Sequence, residues 1–180
     1  MSKQHPTTAE LVNMFTQEPN YSNPNPDDFE ALARDGIPVR TLQPGDLDSL
    51  VRIDRHVTGR DRSAYYRRKL AEVIDESGIR LSLVAEHQGR VVGFIMARVD
   101  YGDFGQTATS AVIDTLGVEP EVQGKQVGAA LVSQLLANLA SLRVETVRSM
   151  VHWDNFSLLR FLQRCGFRPA QRVALTRKLG

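Results

Sequence analysis

A mixed α/β (α+β) domain, built on a mostly antiparallel central sheet flanked by helices, is what this sequence predicts. Three observations carry that reading. Short runs of alternating apolar and polar residues are set off by turn dipeptides. Longer segments between them repeat apolar residues at helical spacing. The resulting order, βααβββαβαβ, mixes hairpins with crossover helices.

The elements follow in order. Ile37-Pro38-Val39-Arg40-Thr41-Leu42 alternates as a short strand, and Pro44-Gly45-Asp46 opens a helix with Leu47, Leu50, Val51 and Ile53 on its apolar face. A second helix spans Ser63 to Glu76, with Tyr66, Leu70, Val73 and Ile74 on one side and Gly78 closing it. Ile79–Glu86 and Arg90–Tyr101 read as strands joined at Gln88-Gly89, a hairpin signal. Gly102-Asp103-Phe104-Gly105 turns the chain into a strand from Thr109 to Val118. Val127–Leu142 is a helix apolar nearly all round, which predicts burial on the sheet. Val144–Val151 is a strand, Asn155–Arg164 a helix, and Phe167–Leu179 forms one or two closing strands.

Residues 1–36 differ from the rest. Pro19, Pro24 and Pro26 stand among Asn20, Ser22, Asn23 and Asn25, a linker composition, between two short helical stretches. Such short helices are marginal alone and either dock or fray. The division expected is therefore an N-terminal extension, 1–36, and a domain, 37–180. The extension carries two basic and six acidic side chains, a net charge of −4, which leaves +5 on the remaining residues of a chain whose total is +1. A modestly positive body suits a polyanionic ligand such as a nucleotide. It is too small and dispersed a charge to point to nucleic acid.

No apolar run approaches the ~20 residues that cross a bilayer, and the first six residues lack the basic-then-apolar pattern of a secretory leader. The single cysteine, Cys165, excludes an intrachain disulfide framework and fits a reducing compartment. The expectation is a cytoplasmic protein with no membrane partner and no metal.

The most informative stretch runs from Leu116 to Leu131. A strand ends at Leu116-Gly117-Val118, a polar loop with Gln123, Gly124, Lys125 and Gln126 follows, and an apolar helix starts at Val127-Gly128-Ala129. The first amides of a helix lack internal partners and carry the positive end of its dipole, so a glycine loop feeding a helix makes a phosphate cradle. Gly124 and Gly128 let an anion approach the backbone, and Lys125 adds a point charge. Neither the dinucleotide fingerprint nor the P-loop spacing is present. From these residues alone, a ligand-free βα connection is an equal reading.

Val118-x-Pro120-x-x-Gln123-Gly124-Lys125-x-Val127-Gly128-x-Ala130-Leu131 resembles the coenzyme A motif of the GCN5-related N-acetyltransferase (GNAT) family, Gln/Arg-x-x-Gly-x-Gly/Ala. Downstream, Asn155-Phe-Ser-Leu-Leu-Arg-Phe-Leu-Gln-Arg-Cys-Gly166-Phe167 resembles that family's second signature, Asn-x-x-Ala-x-x-Leu-Tyr-x-x-x-Gly-Phe. The resemblance covers about residues 37–179. It implies the acyl-CoA N-acyltransferase fold and acetyl-CoA as cosubstrate. It further implies transfer of an acetyl group, by direct attack, to an unidentified amine of a small molecule or protein. The acyl-CoA-binding residues it implies are Leu116, Gly117, Val118, Gln123, Gly124, Lys125, Gln126, Val127, Gly128, Ala129 and Asn155, with the Val118 N–H polarising the thioester carbonyl. Many relatives dimerise, so a homodimer is implied by analogy.

Three departures stand out. Gln126 replaces the signature's first glycine. A left-handed backbone there would strain a non-glycine residue by ~1 kcal/mol or more; the expectation is a helical φ, since helix starts accept most residues. Leu158 replaces Ala. Leu162 replaces the Tyr that often protonates the departing thiolate in the family. A thiol pKa of about 8.5 lets coenzyme A leave without an acid. A catalytically silent acyl-CoA-binding sensor is the alternative this departure raises.

Asp114 is the candidate base. It lies four residues before Val118 and so shares that residue's face by period-two alternation. An acid in this otherwise apolar strand is either a solvated edge residue or a base with a raised pKa. Glu119, expected to be solvated, and His152, expected to be a surface or packing histidine, are weaker candidates; Tyr65, Tyr66 and Tyr101 either pack in the core, their default role, or reach the acceptor side. By the resemblance, the first two helices border the acceptor. Their many basic residues are either a solvated face or, at Arg60 and Arg62, substrate-binding anchors for a carboxylate or phosphate on the acceptor.

Overall fold

The computed structural model describes residues 36–75, 81–100, 109–170 and 176–178. The 1–35 part of the expected extension, the Gly102–Gly105 turn, Tyr101 and most of the expected closing strands lie outside the described residues. Strand β1 (Val39–Thr41) is followed by helices α1 (Leu47–Thr58) and α2 (Ser63–Asp75). Then come β2 (Leu83–His87), β3 (Arg90–Asp100), β4 (Ser110–Val118), helix α3 (Val127–Ser141), β5 (Thr146–Ser149) and helix α4 (Phe156–Arg164). The five strands form one sheet in sequential order, antiparallel except for the parallel pair β4 and β5. This agrees with the mixed, mostly antiparallel sheet expected from the sequence. Among the described residues no helix is long and apolar enough to cross a membrane.

The sheet has a core on each face. Helix α3 covers one face, where Val127, Leu131, Leu135 and Leu139 pack on Leu83, Ala85, Ile95 and Ile113. Its all-round apolar surface is explained by burial against β1, β2, β3 and β4 together. A Cβ at Gly93 would come within 2.9 Å of Val127 and 3.1 Å of Leu131, so this glycine sets how closely α3 approaches β3. Helices α1 and α2 cover the other face, with Leu50, Ile53, Tyr66 and Leu70 on Val84, Phe94 and Met96.

Ion pairs fix both ends of α1. Arg40 on β1 grips Asp46 at 2.8 and 2.9 Å, just before the helix begins. Gly59, at φ +68°, ends the helix in the left-handed conformation that glycine adopts without a Cβ penalty. The buried Asp54 then accepts from the Arg62 guanidinium and, at 3.0 Å, from the Tyr66 hydroxyl, joining α1 to α2.

Gly117 is the tightest point between β4 and the α1 face. An added Cβ would meet the Phe94 ring at 2.7 and 2.9 Å and Ile53 at 3.3 Å. Neither neighbour has room to move, since both are fully buried. Gly117→Ala is therefore expected to destabilise the fold by about 1–3 kcal/mol, the usual cost of overpacking. Urea unfolding checks this as a lower midpoint at unchanged slope.

Candidate functional site

The site begins where two strands part. Strand β4 pairs with β5 only from Ser110–Thr146 to Ile113–Ser149, while its pairing with β3 continues to Val118. The Glu119 N–H donates to Val92 O at 2.8 Å, toward β3. By alternation, the N–H and C=O groups of Leu116 and Val118 face away from β3, into the gap left by β5. Among the described residues the gap is thus an unpaired strand edge. Gln123 Nε2 lies 3.5 Å from Val118 O, at the lower end of this edge.

A β-bulge marks the start of the gap. Met96 pairs with Thr115 and Ala97 with Ile113, so Asp114 is the extra residue on β4. The bulge corrects the expected face of Asp114. Val118 approaches Gly128 of α3, whereas Asp114 pairs with Arg98, whose face on β3 is that of Phe94 and Met96, beneath α1 and α2. Period-two counting fails there because the extra residue shifts the phase by one. Asp114 consequently sits at the mouth of the gap on the face opposite α3 and the loop that feeds it. Its carboxylate is 20% exposed and held by Arg98.

The loop after β4 makes a short 3-10 turn at Pro120–Val122 and then enters α3. The first bond of the helical ladder runs from the Ala130 N–H to Gln126 O, at 2.9 Å, so the amides of Val127, Gly128 and Ala129 precede it. Gly124 has φ +83° with open space around it. Gly128 lies under Phe161 of α4, whose ring a Cβ would meet at 3.2 Å. Lys125 is exposed beside a shallow cavity that also takes in His87, Arg90 and Val122.

Gln126 overturns an expectation. It is the N-cap of α3 at φ 64°, ψ 5°, in the left-handed region, and its side chain makes no capping bond. The position does demand what glycine supplies, and a glutamine occupies it under strain.

Asn155 caps α4, its side-chain oxygen accepting from the Leu158 N–H at 3.1 Å, which leaves its amide group for other contacts. Leu162, in the place of the signature's Tyr, is buried. His152 is exposed and bound to Asp154, and Cys165 is buried. Tyr66 is fully buried in the second core, as expected.

Arg62 is already paired: its Nε and Nη2 donate to the buried Asp54, and its guanidinium lies over the Tyr65 and Tyr66 rings at 5.8 and 5.7 Å. Arg60 lies on the exposed turn between α1 and α2, its backbone N–H donating to Thr58 Oγ1.

Glu119 is also corrected. It is buried, not solvated, with its side chain 3% exposed. It accepts from Arg52 Nε at 2.9 Å and from His56 Nδ1 at 2.7 Å. Burial pushes its carboxyl up, but the hydrogen bonds from His56 and Arg52 outweigh that and hold it below the ordinary carboxylate range. A faint signal was present in the sequence: Arg52 and His56, four apart, share a face of α1.

The model of the acetyltransferase (GNAT) family matches residues 47–167. The chain is similar to a protein named mycothiol acetyltransferase from Amycolatopsis mediterranei (strain U-32), at 34% identity over 152 residues, which are 77% of this chain and 48% of that protein. A second protein of that name, from Sanguibacter keddieii, is 27% identical over 140 residues, covering 75% of this chain and 44% of the relative. The chain thus spans about half the length of the curated relatives it matches. Among solved structures, AAC(6')-Iy in complex with a bisubstrate analogue, CoA-S-monomethyl-acetylneamine, superposes with a TM-score of 0.68 at 16% identity over 80% of this chain and 99% of that one. A transcriptional regulator from Bacillus halodurans C-125 does so with a TM-score of 0.68 at 19% identity over 79% of this chain and 99% of that one. At these identities the structural likeness is one of fold.

The strain at Gln126 has a measurable consequence. Gln126→Gly is expected to raise stability by ~1 kcal/mol, since only glycine adopts this φ without a Cβ penalty. For a domain of this size the melting temperature should then rise by roughly 2–4 °C. A lower melting temperature would mean that the glutamine side chain makes contacts worth more than the strain.

Proposed function

This chain belongs to the acetyltransferase (GNAT) family, and on that premise we propose that it transfers an acetyl group from acetyl-CoA to an amine by direct attack. One observation carries the reading. The unpaired edge of Leu116 and Val118 leads directly into a loop whose helix amides stand open, so an extended amide-bearing arm and a pyrophosphate find their partners in series.

The residues fit acetyl-CoA. Leu116 and Val118 offer strand-like donors and acceptors to the two amides of the arm. The amides of Val127, Gly128 and Ala129, with Gly124, Lys125 and the Gln126 side chain, receive the phosphates. The Asn155 amide lies at the start of α4, whose Phe161 covers Gly128. When bound, acetyl-CoA supplies an activated acyl group and a sulfur that leaves readily as thiolate. The N–H groups facing the gap, Val118 among them, stabilise negative charge on the carbonyl oxygen as the amine attacks. Losing one such donor elsewhere costs ~10²–10³ in rate. Asp114, at the mouth of the gap on the opposite face, takes the proton the amine must lose, and Arg98 orients its carboxylate. Leu162 donates no proton, so the thiolate is protonated by solvent.

The name of the curated relatives, mycothiol acetyltransferase, favours a small-molecule amine as acceptor. With Arg62 held by Asp54, an anionic group on that amine has Arg60 as its remaining proposed partner. A silent acyl-CoA sensor is the second reading, favoured by Leu162 and by the pairing of Asp114 with Arg98.

Calorimetric titration with acetyl-CoA is expected to show micromolar binding that Gly128→Glu abolishes, because the new carboxylate repels phosphate and its stem displaces Phe161. Binding without turnover of any amine in an acceptor screen would favour the sensor. Asp114→Asn should lower kcat by about 10²-fold, the scale of general-base catalysis, with the KM for acetyl-CoA nearly unchanged. Unchanged kcat would remove Asp114 from the mechanism.

A further inference from the structure

Glu119 is a costly residue for its position. Taking a carboxylate out of water is expensive unless it is paired and hydrogen-bonded, and an apolar group of similar size often serves the core as well. Here the charge is compensated from several directions. Arg52 and His56, both on α1, donate to its two oxygens, and Arg90 of β3 stands 3.5 Å from Oε1. Arg52 also donates to the main chain of β3, at Val91 O, 2.8 Å away. The backbone of Glu119 is held as well. Its N–H reaches Val92 O at 2.8 Å, and its C=O accepts the Val122 N–H at 3.1 Å. Main chain and side chain are both pinned, and the residue follows Val118 and precedes the turn that opens the phosphate loop.

We infer that Glu119 is a positioning residue of the acyl-CoA site, holding the Val118 strand end and the phosphate loop in one fixed relation to helix α1; this rests on the acetyl-CoA reading above. Its side chain points to the face of the sheet covered by α1, while the loop it starts feeds α3 on the other face. The clamp therefore ties the two layers together at the residue next to the proposed carbonyl-polarising N–H. Loss of the clamp lets that N–H and the loop shift against each other, and a shift of about 1 Å at reacting groups is worth up to ~10²-fold in rate. His56 and Arg52 act through Glu119 and touch no substrate themselves.

The test uses the full chain in two variants. His56→Ala removes a half-exposed donor and leaves Arg52 on the carboxylate, so it folds; Glu119→Gln keeps shape and removes the charge. Leu139→Val serves as a control, since it removes buried volume near the far end of α3, about three turns from the helix start. Melting temperature, CoA affinity by calorimetry and kcat for an accepted amine are measured on all three. Both clamp variants are expected to raise the Kd for CoA and lower kcat by about tenfold or more, as misplacement of positioning contacts does. Leu139→Val should lose stability while its Kd and kcat stay within twofold of the parent. Clamp variants that bind CoA and turn over within twofold of the parent, or that only track Leu139→Val at matched stability, overturn the proposal. If Glu119→Gln fails to fold, His56→Ala decides alone. A parent chain that binds no CoA refutes the acetyl-CoA reading and this inference with it.

Discussion

A folded chain must find partners for its buried backbone amides and carbonyls, and the arrangement around β4 is governed by that demand. Strand β4 keeps β3 along its whole length but loses β5 after Ile113. From there to Val118 it is, among the described residues, an unpaired edge, and Leu116 and Val118 turn donors and acceptors into the gap. An unsatisfied group that is shut away from water costs ~1–3 kcal/mol. Such an edge is tolerated only if water or a ligand with strand-like amides fills it. The bulge at Asp114 is the local device that parts the strands, since an extra residue bends and twists the strand that carries it.

The layers on either side then fix what surrounds the gap. Gly93 lets α3 approach β3 closely, which aims the helix N-terminus at the end of β4. Gly117 does the same for Phe94 and Ile53 on the opposite face. The loop between β4 and α3 has little freedom left, with Glu119 held at its start and Gly128 under Phe161 at its end. Strain of about 1 kcal/mol at Gln126 is affordable within a typical domain stability of 5–15 kcal/mol. Positions that break a local rule in this way are commonly found at functional sites.

Most of the fold was legible in the sequence because periodicity reports which face a residue buries. The helices Val127–Ser141 and Phe156–Arg164 and the strand Ser110–Val118 fall within a residue or so of their expected bounds. The glycine loop before α3 was legible because a strand end, two glycines and an apolar helix start follow one another in the sequence, while its proposed role came from the resemblance and not from the spacing. Four features were hidden. The bulge is one residue long, and Val112-Ile113-Asp114-Thr115-Leu116 reads as an apolar strand interrupted by two polar residues, with nothing to mark the extra one. The φ of Gln126 depends on how the loop meets α3, which a residue type that tolerates helical φ does not reveal. Glu119 was read as solvated because glutamates are seldom buried unless paired, and its partners lie 63 and 67 residues away in the chain. The engagement of Arg62 was hidden although Asp54 stands only eight residues before it, because a basic turn between two helices does not reveal which of its side chains reaches back to a buried carboxylate.

The gap itself is the central claim, and residue-resolved amide hydrogen exchange, with and without acetyl-CoA, tests it most directly. Gly117 faces β3 and should be protected in both states. Leu116 and Val118 face the gap, should exchange faster in the free protein, and should gain protection when the ligand is added. If acetyl-CoA binds and leaves the Leu116 and Val118 amides exchanging as before, the ligand does not lie along β4, and the account of this site is wrong.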